Sequence, residues 1–242
     1  LLNFLKKEGS VWFPIPTKKR VETGCLIETK KLNDLLKDEE VLRLFVDITM
    51  EGFKREKITT SLWNDVENHI FDYENMVIVL CEESSNKRAS KQQLGRISTY
   101  FTYTVYISKG KRIFYVAGVM VYPDLQNLGL GGALFEIASK KEKADYVSYR
   151  TQNPQAYQAF RNKAREIYPN GKKIPKQIKR ISKFIAFDIL EMKDFDKNTM
   201  IGRKTYDGCL YGNIDSPKGK TKKIFENINP WNGDSIMVIG KI

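Results

Sequence analysis

The stretch "IFYVAGVMVYPDLQNLGLGGALFEIASKK", running from Ile113 to Lys141, constrains the fold more than any other part of the chain. It opens as a β-branched and aromatic strand, is stopped by Pro123, and crosses a loop holding Gly129, Gly131 and Gly132. It then resumes with Leu130, Ala133, Leu134, Ile137 and Ala138 at helical steps, which predicts a helix with one apolar face. The first N–H groups of such a helix have no backbone partner, and its dipole favours negative charge there. Glycines let an anion come close to those amides. Four occupants suit a loop of this kind: a dinucleotide, an NTP, another phosphate ligand, or none. A dinucleotide loop wants a small residue where Leu134 stands, two places beyond Gly132. A P-loop needs Gly-Lys-Ser or Gly-Lys-Thr, which the chain lacks here. A different phosphate ligand and a bare steric turn both stay open.

The elements around this loop narrow the class. "GCLIET" (Gly24–Thr29) predicts a strand, Leu32 to Phe53 one long helix, and "SLWNDVENHIFDY" a second helix. "MVIVLCEE" (Met76–Glu83) predicts a buried strand, Ser84–Gln93 a polar hairpin loop, and Gly95–Ile107 a long strand before the one that leads to the glycines. "DYVSYR" (Asp145–Arg150) predicts a short strand, and "NPQAYQAFRNKAREIY" a helix with Pro154 in its first turn. Strands joined by short polar turns pair antiparallel, and later ones alternate with helices. The fold class is therefore mixed α/β (α+β), with a mostly antiparallel central sheet flanked by helices. Residues 1–20 read as an irregular N-terminal arm. Residues 21–242 read as a single domain, with a core of about 24–168 and, over 169–242, a basic helix and a C-terminal extension that "DSIMVIGKI" closes as a strand.

Composition excludes several classes. With 41% hydrophobic and 12% aromatic residues among 242, the chain can bury a core. Three scattered cysteines, Cys25, Cys81 and Cys209, argue against a disulfide framework and a thiolate zinc site, so a reducing, cytoplasmic setting is expected. The single histidine, His69, excludes a multi-histidine centre, and no metal is expected. No apolar run reaches the ~18 residues that span a membrane, so no membrane partner is expected. The chain begins at Leu1 rather than Met, which leaves a removed leader open.

"VYPDLQNLGLGG" (Val121–Gly132) resembles the acetyl-CoA signature of the GNAT superfamily of N-acetyltransferases: Arg or Gln, two residues, Gly, one residue, then Gly or Ala. Gln126, Gly129 and Gly131 fill it in register, and Val121 and Pro123 match the Val-x-Pro that precedes it. Downstream, "RTQNPQAYQAF" resembles the family's later strand and helix, with Asn153 followed three residues on by Ala156. The resemblance covers about two-thirds of the chain. It implies a GNAT-like sheet whose strand ending at Val121 splays from the strand Asp145–Arg150, with acetyl-CoA as co-substrate in the gap. Backbone groups of Met120 and Val121 would bond to the pantetheine arm. Gln126 heads the signature, and the amides of Asn127, Leu128, Gly129, Leu130, Gly131, Gly132 and Ala133 would hold the pyrophosphate. Asn153 would touch the pantetheine, and Tyr157 and Phe160 would face the thioester.

The implied reaction is attack of a primary amine on the thioester. At pH 7 only about one lysine-like amine in two thousand is neutral, so a base or a water relay must take a proton. The family's usual tyrosine acid would lie seven residues after Asn153, where this chain has Phe160. Tyr157, three residues earlier and on nearly the same helix face, is the candidate general acid. Glu51 and Glu56 could face the acceptor as bases, but each reads first as a solvated charge, and a water-relayed base or an already neutral substrate serves as well. Nine basic residues between Arg161 and Lys183 face only Glu166. With a formal net charge of +12, they suit a solvated surface, the CoA phosphates, or an RNA or acidic-protein partner. "YDGCLYG" and "NPWNGD" in the tail are candidate walls of the acceptor pocket. Three functions stay open: an N-acetyltransferase for an amine of unknown identity, a CoA-binding regulatory module without turnover, and a GNAT-fold protein that acts on or binds RNA.

Overall fold

The computed structural model describes residues 10–16, 21–60, 62–63, 66–67, 73–81, 96–214, 216–217 and 219–242. In chain order the elements are β1 (Val11–Pro16), β2 (Val21–Glu28), α1 (Thr29–Leu36), α2 (Glu39–Gly52), β3 (Asn75–Cys81), β4 (Arg96–Ser108), β5 (Lys111–Val121), α3 (Leu130–Lys141), β6 (Tyr146–Thr151), α4 (Pro154–Arg161), β7 (Glu166–Tyr168), α5 (Lys176–Lys183), a π-helical turn (Phe184–Ile189), β8 (Phe195–Asp196), β9 (Ile201–Gly202), α6 (Lys220–Phe225) and β10 (Ser235–Lys241). The chain forms two compact units. Residues 1–104 and 117–135 make the first, and 105–116 and 136–242 the second, so β4, β5 and α3 each contribute to both.

In the first unit the strand order is β1-β2-β3-β4-β5. β1 pairs antiparallel with β2 from Val11↔Leu26 to Pro16↔Val21, so this part of the expected irregular arm is a sheet strand. β2 pairs antiparallel with β3, and β3 with β4. The long helix expected over Leu32–Phe53 is two helices. The first ends at Leu36, and Asp38 caps the second, its carboxylate accepting from the Glu40 N–H at 2.9 Å, with Glu39 and Glu40 in the favourable first turn. The apolar face of α2, with Phe45, Val46 and Ile48, packs on Cys25, Ile27, Met76, Ile78 and Tyr100. Full burial of one such side chain is worth about 1.5–3 kcal/mol. Of the second expected helix, Ser61–Tyr73, the described residues Leu62, Trp63, Val66 and Glu67 are helical and Tyr73 is a bend; His69 and the loop Ser84–Gln93 lie outside the described residues.

In the second unit the order is β5-β6-β10-β9-β8, with β7 also on β10. The turn from β4 to β5 is Lys109–Gly110, both left-handed at φ 51° and 74°, the geometry that suits a two-residue hairpin. β5 pairs parallel with β6 from Ile113↔Tyr146 to Val116↔Tyr149, while β6 itself continues to Thr151. The other described pairings are antiparallel. β10 is the axis of this unit. β6 flanks it from Ile236 to Lys241, and its other edge is shared by β9 at Ser235–Ile236 and β7 at Ile239–Lys241. Ser235 through Ile239 are wholly buried.

Candidate functional site

The glycine loop belongs to the first unit. β5 carries Met120 and Val121 to its end, backed by Gly52 of α2, where a Cβ would stand 3.5 Å from the Val121 carbonyl oxygen and 3.6 Å from the Met120 sulfur. The chain then turns sharply. The Tyr122 N–H donates to the Ser98 carbonyl at 3.0 Å, Pro123 opens a short 3-10 turn, and the Gln126 N–H returns to the Tyr122 carbonyl at 3.1 Å. The Gln126 side chain donates from Nε2 to the Val121 carbonyl at 3.0 Å. So the first residue of the signature fastens the loop to the strand, a positioning role inside the protein.

Two residues of the loop are left-handed, Asn127 at φ 65° and Gly129 at φ 84°. Asparagine and glycine adopt that region most readily. The first backbone bond turning back into α3 comes from the Ala133 N–H to the Gly129 carbonyl, at 3.0 Å. Among the described residues, none accepts a bond from the N–H groups of Asn127, Leu128, Gly129, Leu130, Gly131 or Gly132. Around Gly129 a Cβ would find nothing within 4 Å, and at Gly131 only Val119, at 3.4 Å. A run of unused amides with left-handed residues, at the positive end of a helix dipole, is a concave donor set for an anion. A set of backbone donors at a helix start fits a pyrophosphate.

The downstream block belongs to the second unit. Asn153 caps α4, its side-chain oxygen accepting from the Gln155 N–H at 2.8 Å, and Pro154 fills the first helical position. Tyr157 and Phe160, expected to face a ligand, are 1% and 6% exposed. The Tyr157 hydroxyl donates to the Pro169 carbonyl at 2.7 Å. Burial raises its pKa, and the nearby Arg161 charge opposes that rise. The Phe160 ring lies 4.7 Å from that of Tyr149. The Tyr149 hydroxyl is buried with no hydrogen-bond partner among the described residues, and burial, with Tyr157 adding to it, holds the phenol well above its ordinary range. The candidate bases lie in the first unit: Glu51 is half-buried in the last turn of α2, beside Gly52, and Glu56 is exposed.

Two residues that the motifs did not flag organise the end of β6. Gln152 is 1% exposed, and its amide nitrogen donates to the carbonyls of Gly208, Pro230 and Asp234 at 3.0, 3.1 and 3.2 Å. Its oxygen accepts from the Leu210 N–H at 2.9 Å. One side chain thus ties "YDGCLYG" and "NPWNGD" to the strand that leads into Asn153. Tyr211, from the first of those loops, has its hydroxyl hydrogen-bonded by the Asn153 and Thr151 side chains, and burial raises its pKa strongly. Arg150 lies over the Tyr206 ring at 4.9 Å. The only trace of this in the sequence is a glutamine set between the end of β6 and the Asn of the motif.

The structure therefore brings Met120, Val121 and Gln126–Ala133 together in one segment, from the end of β5 through the loop to the first turn of α3. It places Asn153, Tyr157 and Phe160 on one helix, with the last two inside the unit. Among the described residues no group of three or more His, Cys, Asp or Glu could hold a metal ion. No described helix is long and apolar enough to cross a membrane.

No family model matches the chain, and no curated protein matches it. Solved structures do. A chain of the NatC complex bound to Gag peptide and CoA is 10% identical at a TM-score of 0.39, over 96% of this chain and 98% of that one. A "histone acetyltransferase HPA2 and related acetyltransferase" from Corynebacterium glutamicum is 13% identical at 0.39, over 62% and 87%. An acetyltransferase of the GNAT family from Streptococcus pneumoniae is 10% identical at 0.38, over 90% and 99%. Likeness at this level assigns no residue a role. The described residues form the mixed, mostly antiparallel sheet flanked by helices that the sequence led us to expect, with the signature loop between a strand and a helix.

Proposed function

We propose that this chain transfers an acetyl group from acetyl-CoA to a primary amine. One observation carries the reading: the unused amides from Asn127 to Gly132, in a loop that matches the acetyl-CoA signature residue for residue. The amides of this loop hold the pyrophosphate, and the open space at Gly129 and Gly131 lets it approach. Gln126 keeps the loop in register with Met120 and Val121. Acetyl-CoA supplies an activated acyl group: the amine nitrogen forms a bond to the carbonyl carbon, the C–S bond breaks, and the amine's proton is lost as the thiolate gains one. Backbone donors near the carbonyl stabilise the negative oxygen. A proton for the sulfur from Tyr157 requires its hydroxyl to leave the Pro169 carbonyl first.

That last contact favours a second reading, a CoA-binding module without turnover. Calorimetric titration with CoA and thiol release from acetyl-CoA over a panel of amines separate the two. Binding with turnover supports the transferase. Binding with no turnover on any amine supports the module. Failure of CoA to bind, or binding indifferent to Gly131→Ala, removes both.

A further inference from the structure

The second unit carries a cationic face that the transferase reading leaves unused. The nine basic residues from Arg161 to Lys183 do not act alike. Lys163 pairs with Glu136 at 2.6 Å, and Lys179 donates to the Asn198 side chain at 2.6 Å. The side chains of Lys172, Lys173, Lys176, Arg180 and Lys183 are exposed and have no ion pair among the described residues, and no acidic residue falls between Lys172 and Lys183. α5 buries Ile178, Ile181 and Ser182, and the turn after it buries Ile185 and Ala186. Lys176, Arg180, Lys183 and Phe187 follow one another at steps of four, three and four, which on a helix is a single stripe opposite that buried face. Phe187 ends the stripe, 40% exposed and edge-on to Phe195 at 6.0 Å. It sits in the π-helical turn Phe184–Ile189, a rare geometry that often marks a functional segment.

Like charges held about 6 Å apart along a helix repel one another unless a polyanion lies across them. An exposed phenyl ring at the end of the row offers a flat apolar face. An acidic peptide would use the charges and leave the ring idle, and a duplex has no unstacked base to offer it. We infer that this stripe binds a single nucleic-acid strand, with phosphates along Lys176, Arg180 and Lys183, supported by Lys172 and Lys173, and one base stacked on Phe187.

The test is fluorescence anisotropy of the full chain with a labelled twelve-nucleotide single-stranded RNA, at several salt concentrations. Binding should weaken with salt, log K falling by roughly 2–3.5 per decade for three to five phosphates neutralised. The triple variant Lys176→Glu, Arg180→Glu, Lys183→Glu should lose tenfold or more. Phe187→Ala should lose roughly fivefold or more with the salt slope unchanged. The milder triple change to Gln, checked by its unfolding curve, keeps the test sound if the Glu variant misfolds. Unaltered RNA affinity in a folded charge variant overturns the proposal. So does polyglutamate displacing the RNA as well as unlabelled RNA does, or a duplex of equal length binding as tightly. CoA binding is measured separately, so failure here leaves the transferase reading standing.

Discussion

The loop Asn127–Gly132 and the side chain of Gln152 treat polar groups in opposite ways. The loop presents six consecutive N–H groups that no described residue accepts, around positions that are exposed or half-buried apart from Leu130. Gln152 is buried, and its one amide makes four hydrogen bonds to loops 56 to 82 residues away. A donor near solvent is left unpaired at little cost, because water or a ligand can serve it. A buried amide without partners costs about 1–3 kcal/mol for each group left unsatisfied. So unused donors mark where something is to bind, and fully used ones mark what holds the scaffold in place.

Replacing Gln152 by Ala tests the scaffold half of this contrast and should have the largest effect. It leaves the Leu210 N–H and three carbonyls without their partner, at a cost on the order of 3 kcal/mol in urea unfolding. A loss below about 0.5 kcal/mol would show that the tail loops hold themselves.

Asp234 comes next. Burial opposes its charge, yet bonds from the Asn229 N–H, Arg203 and the Lys204 N–H outweigh that and hold its pKa below the usual carboxylate range. The stability it contributes is therefore present above the unfolded pKa of about 3.9 and lost as pH falls through the lower folded value. Asp234→Asn should cost about 2 kcal/mol at pH 7, and its stability should fall less steeply than wild type below pH 4. Parallel acid curves for the two proteins would move the acid sensitivity elsewhere.

Gly131→Ala sharpens the other half. Its new Cβ touches only Val119, and alanine favours a helix, so stability should hold or rise by about 0.5 kcal/mol. CoA affinity should fall by roughly tenfold as the methyl group crowds the amides. Equal affinity, read by calorimetry, would sever the loop from the ligand. The smallest change is Tyr157→Phe, which removes the bond to the Pro169 carbonyl and should cost about 1 kcal/mol. Turnover should stay within a few-fold. A collapse of kcat with CoA affinity retained would assign Tyr157 as the acid.

Much of the fold was legible because its signals are local. The continuous apolar run of β3, the β-branched and aromatic content of β4 and β5, the helix after the glycines and the proline at the start of α4 all emerge as read. Asp38 was missed as a helix boundary because the charged run Lys37–Glu40 reads as one polar turn of a continuous helix, while its cap is a single local bond. β1 was missed because two prolines in "VWFPIP" argue against a strand, although an edge strand tolerates them. "DSIMVIGKI" was legible as a strand but not as the axis of the second unit, since its partners β6, β7 and β9 lie far away in the chain.

By itself the sequence determined the loop: which residues are left-handed, where the helix starts, and which amides stay unused all follow from neighbours within a few positions of Gly129. Tertiary structure alone decided what surrounds Asn153. Gln152 and Tyr211 acquire their partners across 56 to 82 and across 58 to 60 residues, and Tyr157 donates a hydrogen bond to a carbonyl twelve residues on. Backbone conformation is set by local sterics, whereas hydrogen-bond partners in a buried interior are set by whatever the folded chain brings within 3 Å.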